Sequence, residues 1–298
     1  MKINNSLFSQ FEETKHYHSH ILSLLGRCYL EGGSVDDALE LLHKALKINK
    51  SLVGEDHISN IQLYTLVAQA YERKKDYDKA LEFLNQVWEL AENKFGKVNE
   101  TLGAVYIEMA KINKLKENSA EAISNQKHAY DIYMQLENSE PKQIAGILIT
   151  LSEWHEKIEK IDEAIEYMSK AEKIYEQSIG QVNKDTCKVK RNLSLLLLKA
   201  NKLDRALDQL KKVEGMEKSL YGDISLHVGK TYKLIGTLYI LMGNMSDARE
   251  YLLKAHKIFE AKNHQKFLKE VALTMKKLSP SNKPVVLSHE FANKGKIQ

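Results

Sequence analysis

One spacing constrains this chain more than any other feature. A small residue stands at Gly26, Ala68, Ala110, Ser152, Ser194 and Gly236, 42 positions apart each time. Twelve residues after each lies an alanine: Ala38, Ala80, Ala122, Ala164, Ala206 and Ala248. Seven further on stands Ala45, Val87, Ala129, Ala171, Val213 or Ala255, and three beyond that an apolar Ile48, Leu90, Ile132, Ile174, Met216 or Ile258. Immediately before each small residue is Leu25, Val67, Met109, Leu151, Leu193 or Ile235. Six copies in register without an insertion predict one supersecondary unit used repeatedly, and so an array in which each unit packs on its neighbours.

Within a unit, apolar residues fall at helical intervals on both sides of a short polar break, which predicts two antiparallel helices, A and B. Such helices touch closely only where side chains are small, and the small residue on A and the first alanine on B supply that contact. At the break stand Ser34, Asp76, Asn118, Lys160, Lys202 and Asn244. Four of these are good N-caps, each worth roughly 1 kcal/mol to the helix that follows. Apolar Val35, Tyr77, Ile161, Leu203 and Met245 come next and suit a staple at the helix entry. Between units Gly54, Gly96, Gly180 and Gly222 share one register and predict left-handed C-caps, with Asn138 and Pro141 ending the third unit in their place. Only 14 glycines and 3 prolines occur in 298 residues. That scarcity argues against an all-β protein and against glycine-rich nucleotide folds, and for an all-α chain.

A small residue, an aromatic three on (Tyr29, Tyr71, Tyr239), alanine at plus twelve and alanine at plus nineteen resemble the tetratricopeptide repeat. The usual unit is about 34 residues; the longer unit here, with loops such as VGEDHISN before helix A, is similar to that of kinesin light chains. The resemblance covers residues 17 to 262. It implies a right-handed α-solenoid of six 42-residue helical hairpins, at about 17–58, 59–100, 101–142, 143–184, 185–226 and 227–262. Kinesin light chains line their groove with a run like NNLA. Here Asn192 alone stands at the matching place, the others being Leu24, Leu66, Glu108, Thr150 and Leu234. The cargo-binding mode of that family therefore does not carry over. The chain also loosely resembles the tetratricopeptide repeat protein 23 family of ciliary proteins, which implies a ciliary or axonemal setting.

At the C-terminal end Phe267, Val271, Met275 and Leu278 predict one further helix over 263–278 that caps the array. Residues 279–298 form a basic tail, either disordered or docked through Val285, Val286 and Leu287 as an extended strip. At the other end KINNSLF (2–8) echoes KINKSLV (47–53), the close of a helix B. Residues 1–16 are accordingly expected to hold a lone B-type helix or cap, or to follow a missing piece of the chain. From Lys262 onward eight lysines face Glu270 and Glu290, a balance of +6 within a formal net charge of +4, so the body before it is slightly acidic. This is not the profile of a nucleic-acid binder. No window holds eighteen uninterrupted apolar residues and the start is no secretory signal. Cys28 and Cys187 are too few for a disulfide framework, so a cytoplasmic, reducing compartment is expected.

No catalytic constellation emerges, and no cofactor or metal site is expected. Gly229-Lys230-Thr231 ends like a phosphate loop, but Ile224 occupies the place of the first glycine, and the register puts Lys230 inside a helix. His16, His18 and His20 lack an acidic or sulfur ligand at a useful interval. His155, beside Trp154, suits a core or interface position.

The resemblance implies that helix A builds the concave face, at −6, −3, −2, +1, +4 and +5 from the small residue. The fifth unit offers Lys188, Arg191, Asn192 and Lys199 there, with Leu195 and Leu198; the sixth offers Lys230 and Lys233, with Leu234, Ile240 and Leu241. Units two to four give a mixed field that includes Gln62, Glu72, Arg73, Glu108, Lys111 and Glu156. A basic groove with an apolar floor suits an acidic or amphipathic protein segment, with Asn192 holding its backbone. The expectation is a non-enzymatic protein-binding scaffold, a member of a larger assembly, with neither nucleic acid nor membrane as partner. A motor cargo adaptor is the alternative, opposed by the missing asparagine run and the lack of a heptad coiled coil. A peptide-responsive regulator would need an effector domain, and the sequence shows none.

Overall fold

The computed structural model describes residues 2–276 and 278, with side chains from Thr14 onward. Among these residues there are thirteen helices and no strand. They are α1 (Lys2–Glu31), α2 (Val35–Val53), α3 (Asn60–Lys74), α4 (Tyr77–Phe95), α5 (Glu100–Leu115), α6 (Ser119–Gln135), α7 (Pro141–Lys157), α8 (Ile161–Ile179), α9 (Lys184–Lys199), α10 (Leu203–Tyr221), α11 (Leu226–Leu241), α12 (Met245–Ala261) and α13 (Gln265–Lys276). They fall into two compact units, residues 1–139 and 140–298. In the first, α1–α2, α3–α4 and α5–α6 pair as hairpins, with α2 packed on α3 and α4 on α5. In the second, α7–α8, α9–α10 and α11–α12 pair likewise, α8 packs on α9, α10 on α11, and α13 closes against α12. The second helix of each hairpin starts at Val35, Tyr77, Ser119, Ile161, Leu203 or Met245.

The small residues do what their spacing implies. All six plus-twelve alanines, and all six Ala/Val residues seven beyond them, are completely buried. A β-carbon on Gly26 would lie 2.7 Å from Leu42 Cγ, and one on Gly236 would lie 2.8 Å from Leu252 Cγ. Helix A thus approaches helix B closely enough to seal Leu42 and Leu252 from water, each contributing roughly 1.5–3 kcal/mol. Val67, Met109, Leu151, Leu193 and Ile235, which precede the small residues, are buried too; Leu25 in α1 is 44% exposed.

Local geometry departs from expectation in three places. Asp76, Asn118 and Asn244 cap their helices by accepting from the backbone N–H three residues on, whereas Ser34 makes no cap bond. These three caps sit at ψ between 74 and 84, and Ser34 shares that backbone angle at ψ 75. The inter-hairpin glycines have φ of 79 to 89 with ψ near ±170, a mirror-extended conformation open essentially to glycine, and not the left-handed helical cap. Asn138 does not substitute for them: α6 ends on Leu136 in ordinary extended backbone, and Pro141 opens α7. The left-handed residues lie instead inside each hairpin, one before the N-cap, at Gly33, Lys75, Glu117, Glu159, Asn201 and Gly243.

The N-terminal segment also differs. It is not a separate B-type helix, because α1 runs unbroken from Lys2 into the first helix A. Residues 9–17, where a break would have to fall, contain neither glycine nor proline to make one. The expected tail over 279–298, with Val285–Leu287, lies outside the described residues. No helix among the described residues is long and apolar enough to cross a membrane.

Candidate functional site

Helices α9 and α11 place the six expected groove residues within the second unit, and their surroundings divide them into two sets. Arg191 is not free: it donates to the Glu217 carboxylate on α10 and, at 2.8 Å, to Thr231 Oγ1 on α11. Thr231 donates in turn to the other Glu217 oxygen at 2.6 Å. With 3% of its side chain exposed, Glu217 is a buried carboxylate whose charge these two donors satisfy. Lys199 pairs with Glu156 of α7, and Lys233 with Glu270 of α13. Three of the five expected cations are therefore paired with carboxylates of this chain.

Lys188, Asn192 and Lys230 form the other set. Lys188 is exposed and Asn192 half-buried, and neither makes a side-chain hydrogen bond or ion pair among the described residues. Lys230 is half-buried with its ammonium 5.2 Å from the centre of the Phe267 ring, and no carboxylate pairs with it among the described residues. Burial, and then the positive charges of Arg191 and Lys233, hold its pKa below the ordinary lysine value. An anion brought to this point would relieve that repulsion.

Sequence reasoning missed a second ion cluster nearby. Lys190, 5% exposed at its side chain, reaches Glu172 and Glu176 of α8 at 2.5 Å each. The signal was in the columns of the repeat. At the Lys190 register the other copies carry Leu22, Tyr64, Tyr106, Leu148 and Tyr232, and at the Glu217 register they carry Asn49, Ala91, Tyr133, Tyr175 and Phe259. One charge in a column of core residues marks a buried partner.

The first unit holds an open cleft of ≈ 420 Å³. His16, His20 and Ser23 of α1 form one wall, and Ile58, Gln62 and Phe95 stand opposite. His20, Ser23 and Gln62 occupy the −6 and −3 positions of the groove pattern, so the cleft belongs to the face built by the first helices. Elsewhere on that face Lys111 bonds Glu72 at 2.9 Å, so part of the mixed field is already paired. Gly229 and Lys230 are interior residues of α11, where a β-carbon on Gly229 would meet Phe259 at 2.8 Å. No phosphate loop is present at that place. His155 is a core residue, its Nδ1 2.8 Å from the Leu151 carbonyl.

With this geometry in hand, comparison with known proteins is informative. A family pattern described as tetratricopeptide repeat matches residues 17–93, and a second of the same description matches residues 229–261. The chain carries tetratricopeptide repeats. Solved tetratricopeptide-type structures align over most of its length at low identity. BtubC (BKLC) of P. vanneervenii aligns with a TM-score of 0.56 at 17% identity, covering 78% of this chain and 91% of its own. A Podosopora anserina kinesin light chain-like protein with nearly identical TPR-like repeats gives 0.57 at 18%, covering 68% and 96%. YrrB, a TPR protein with an unusual peptide-binding site, gives 0.50 at 20%, covering 78% and 98%. At these identities the likeness concerns the fold. No curated protein matches the chain. Tetratricopeptide repeats are in general a non-catalytic protein-binding scaffold.

Proposed function

We propose that this tetratricopeptide protein is a non-enzymatic scaffold that holds a segment of a partner protein on the face formed by α9 and α11. An acidic group of that segment meets Lys230, Lys188 adds a second charge contact, and Asn192 bonds the segment's backbone. The observation that supports this reading is Lys230: half-buried, among Arg191, Lys233 and Lys266, and without a carboxylate partner of its own. Leu195, Leu198 and Leu234 on the same helix faces give the segment apolar contacts. The ciliary setting and the motor-adaptor role rest on sequence resemblance, and this reading requires neither.

The test is a selection from a displayed library of protein segments, against the wild type and against the double variant Lys188→Glu/Lys230→Glu. Arg191, Lys199 and Lys233 are left untouched, because changing them would strand Glu217, Glu156 or Glu270 and confound binding with stability. The wild type is expected to enrich segments with clustered Asp and Glu. The double variant should bind them at least tenfold more weakly while keeping the same melting curve. Enrichment without regard to acidity, or undiminished binding by the variant, would reject the reading.

A further inference from the structure

The face on α9 and α11 has an edge that lies outside the groove positions of the repeat. α13 packs on α12 and sets the buried Phe267 ring against α11. The ammonium groups of Lys230 and Lys233 both stand 5.2 Å from the centre of that ring. Phe267 is fixed in place by Phe259 of α12, at 4.9 Å between ring centres, and by His264, stacked on it at 4.2 Å. Half-buried Lys230 is thereby recessed between α11 and α13. Lys266, immediately before Phe267 on α13, is exposed, and no carboxylate pairs with it among the described residues.

Charge at this edge does not balance. The charged groups that act most on Lys230 are Arg191, Lys233, Glu217 and Lys266. Arg191 is matched by Glu217, and Lys233 by Glu270 at 2.5 Å. Lys230 and Lys266 have no such match. Four cations against two carboxylates leave two positive charges, one on α11 and one on α13. The acids of α8 do not offset them, because Glu172 and Glu176 are already bonded to Lys190.

One carboxylate would neutralise half of this excess. Two carboxylates from successive residues would have to converge on one recessed ammonium. A phosphate monoester carries about −1.5 to −2 at neutral pH and presents three acceptor oxygens from a single atom, so one group can meet both lysines.

We infer that the segment held on α9 and α11 is phosphorylated, and that its phosphoryl group sits between Lys230 and Lys266 at the α11–α13 edge. This rests on the scaffold reading above and adds the chemical class of the segment to it. Clustered Asp and Glu in an unmodified segment supply the same charges from separate side chains and bind more weakly. Association with the partner would then be set by the phosphorylation state of that segment.

The probes are three fluorescein-labelled nonapeptide pools, degenerate at every position except the centre, which is phosphoserine, glutamate or serine. Fluorescence anisotropy reads their binding to the full-length chain. The phosphoserine pool is expected to bind at least tenfold more tightly than the glutamate pool, and the glutamate pool more tightly than the serine pool. Lys266→Gln, at an exposed position, should keep the melting curve and the glutamate affinity and bring the phosphoserine preference below threefold. Lys230→Gln should weaken both acidic pools. Phosphoserine binding no tighter than glutamate binding, with both above serine, overturns this inference and leaves the scaffold reading standing. A phosphoserine preference undiminished in Lys266→Gln also overturns it. Equal binding of all three pools would reject the scaffold reading, and this inference with it.

Discussion

At the scale of single residues, the molecule separates contacts that a pattern reveals from contacts that a partner decides. Ala122 is completely buried where two helices touch, and its role follows from a column of six alanines. Ala122→Leu should overpack that contact and cost roughly 1–3 kcal/mol in a denaturant titration. Arg191 is the opposite case. Its register placed it correctly on helix A, but its meaning depends on Glu217, a residue of the adjoining helix that the groove positions do not include. Glu217→Ala should leave a half-buried guanidinium without its counter-charge and cost about 3–5 kcal/mol, the usual penalty for breaking a buried ion pair. A loss below 1 kcal/mol would show that water satisfies Arg191 equally well. The two thiols should differ as sharply. Burial, then the nearby Glu217 charge, pushes the Cys187 thiol up to about 11, so at pH 7.5 one cysteine per chain, Cys28, should alkylate until the protein is unfolded.

At the scale of the helix, the existence of each element was legible and its ends less so. Periodicity reports which face is buried, whereas ends depend on backbone angles that composition describes only loosely. Ser34 has the right chemistry for an N-cap and makes no cap bond, while Asn99, which the repeat pattern does not single out, is an effective one. Its Oδ1 accepts from the Leu102 N–H at 2.9 Å and its amide donates to the Gly96 carbonyl at 2.7 Å. Asn99→Ala should therefore cost about 1 kcal/mol in thermal or urea melts, and Ser34→Ala should be nearly neutral. Equal effects would mean that side-chain bonding does not distinguish these caps. The left-handed turn residues were illegible for a related reason. Four of the six are Lys, Glu or Asn, so the turn is imposed by the two helices it joins and not by a glycine that could be read in advance.

At the scale of the whole chain, the repeat made the hairpins readable and left the candidate surface half-read. Groove positions inherited from the repeat say where a side chain stands; they do not say whether another helix has already claimed its charge. Of the six candidates, Lys188, Asn192 and Lys230 remain available to a partner, and the N-terminal cleft gained residues that the charge pattern passed over. Each unit should also be least protected where a helix has a neighbour on one side. Hydrogen exchange followed by mass spectrometry is expected to be faster in α1 than in α3, and faster in α13 than in α11. Uniform protection along α1 and α3 in the isolated protein would argue that the outer face of α1 is already covered.

The buried charges of the second unit bear on how such an array can change over generations. A row of hairpins joined by apolar contacts alone could lose or duplicate one by recombination, because each junction would accept any neighbour. Here Glu172 and Glu176 require Lys190 from the next hairpin, and the Arg191–Glu217 pair is completed by Thr231 from the one after. Excision of α9 and α10 would bring Tyr232 to the Lys190 position and leave two carboxylates facing an aromatic ring. The hairpins from α7 to α12 share one outline, yet their order is keyed, and a shuffled gene would encode a chain that fits by shape and fails by charge.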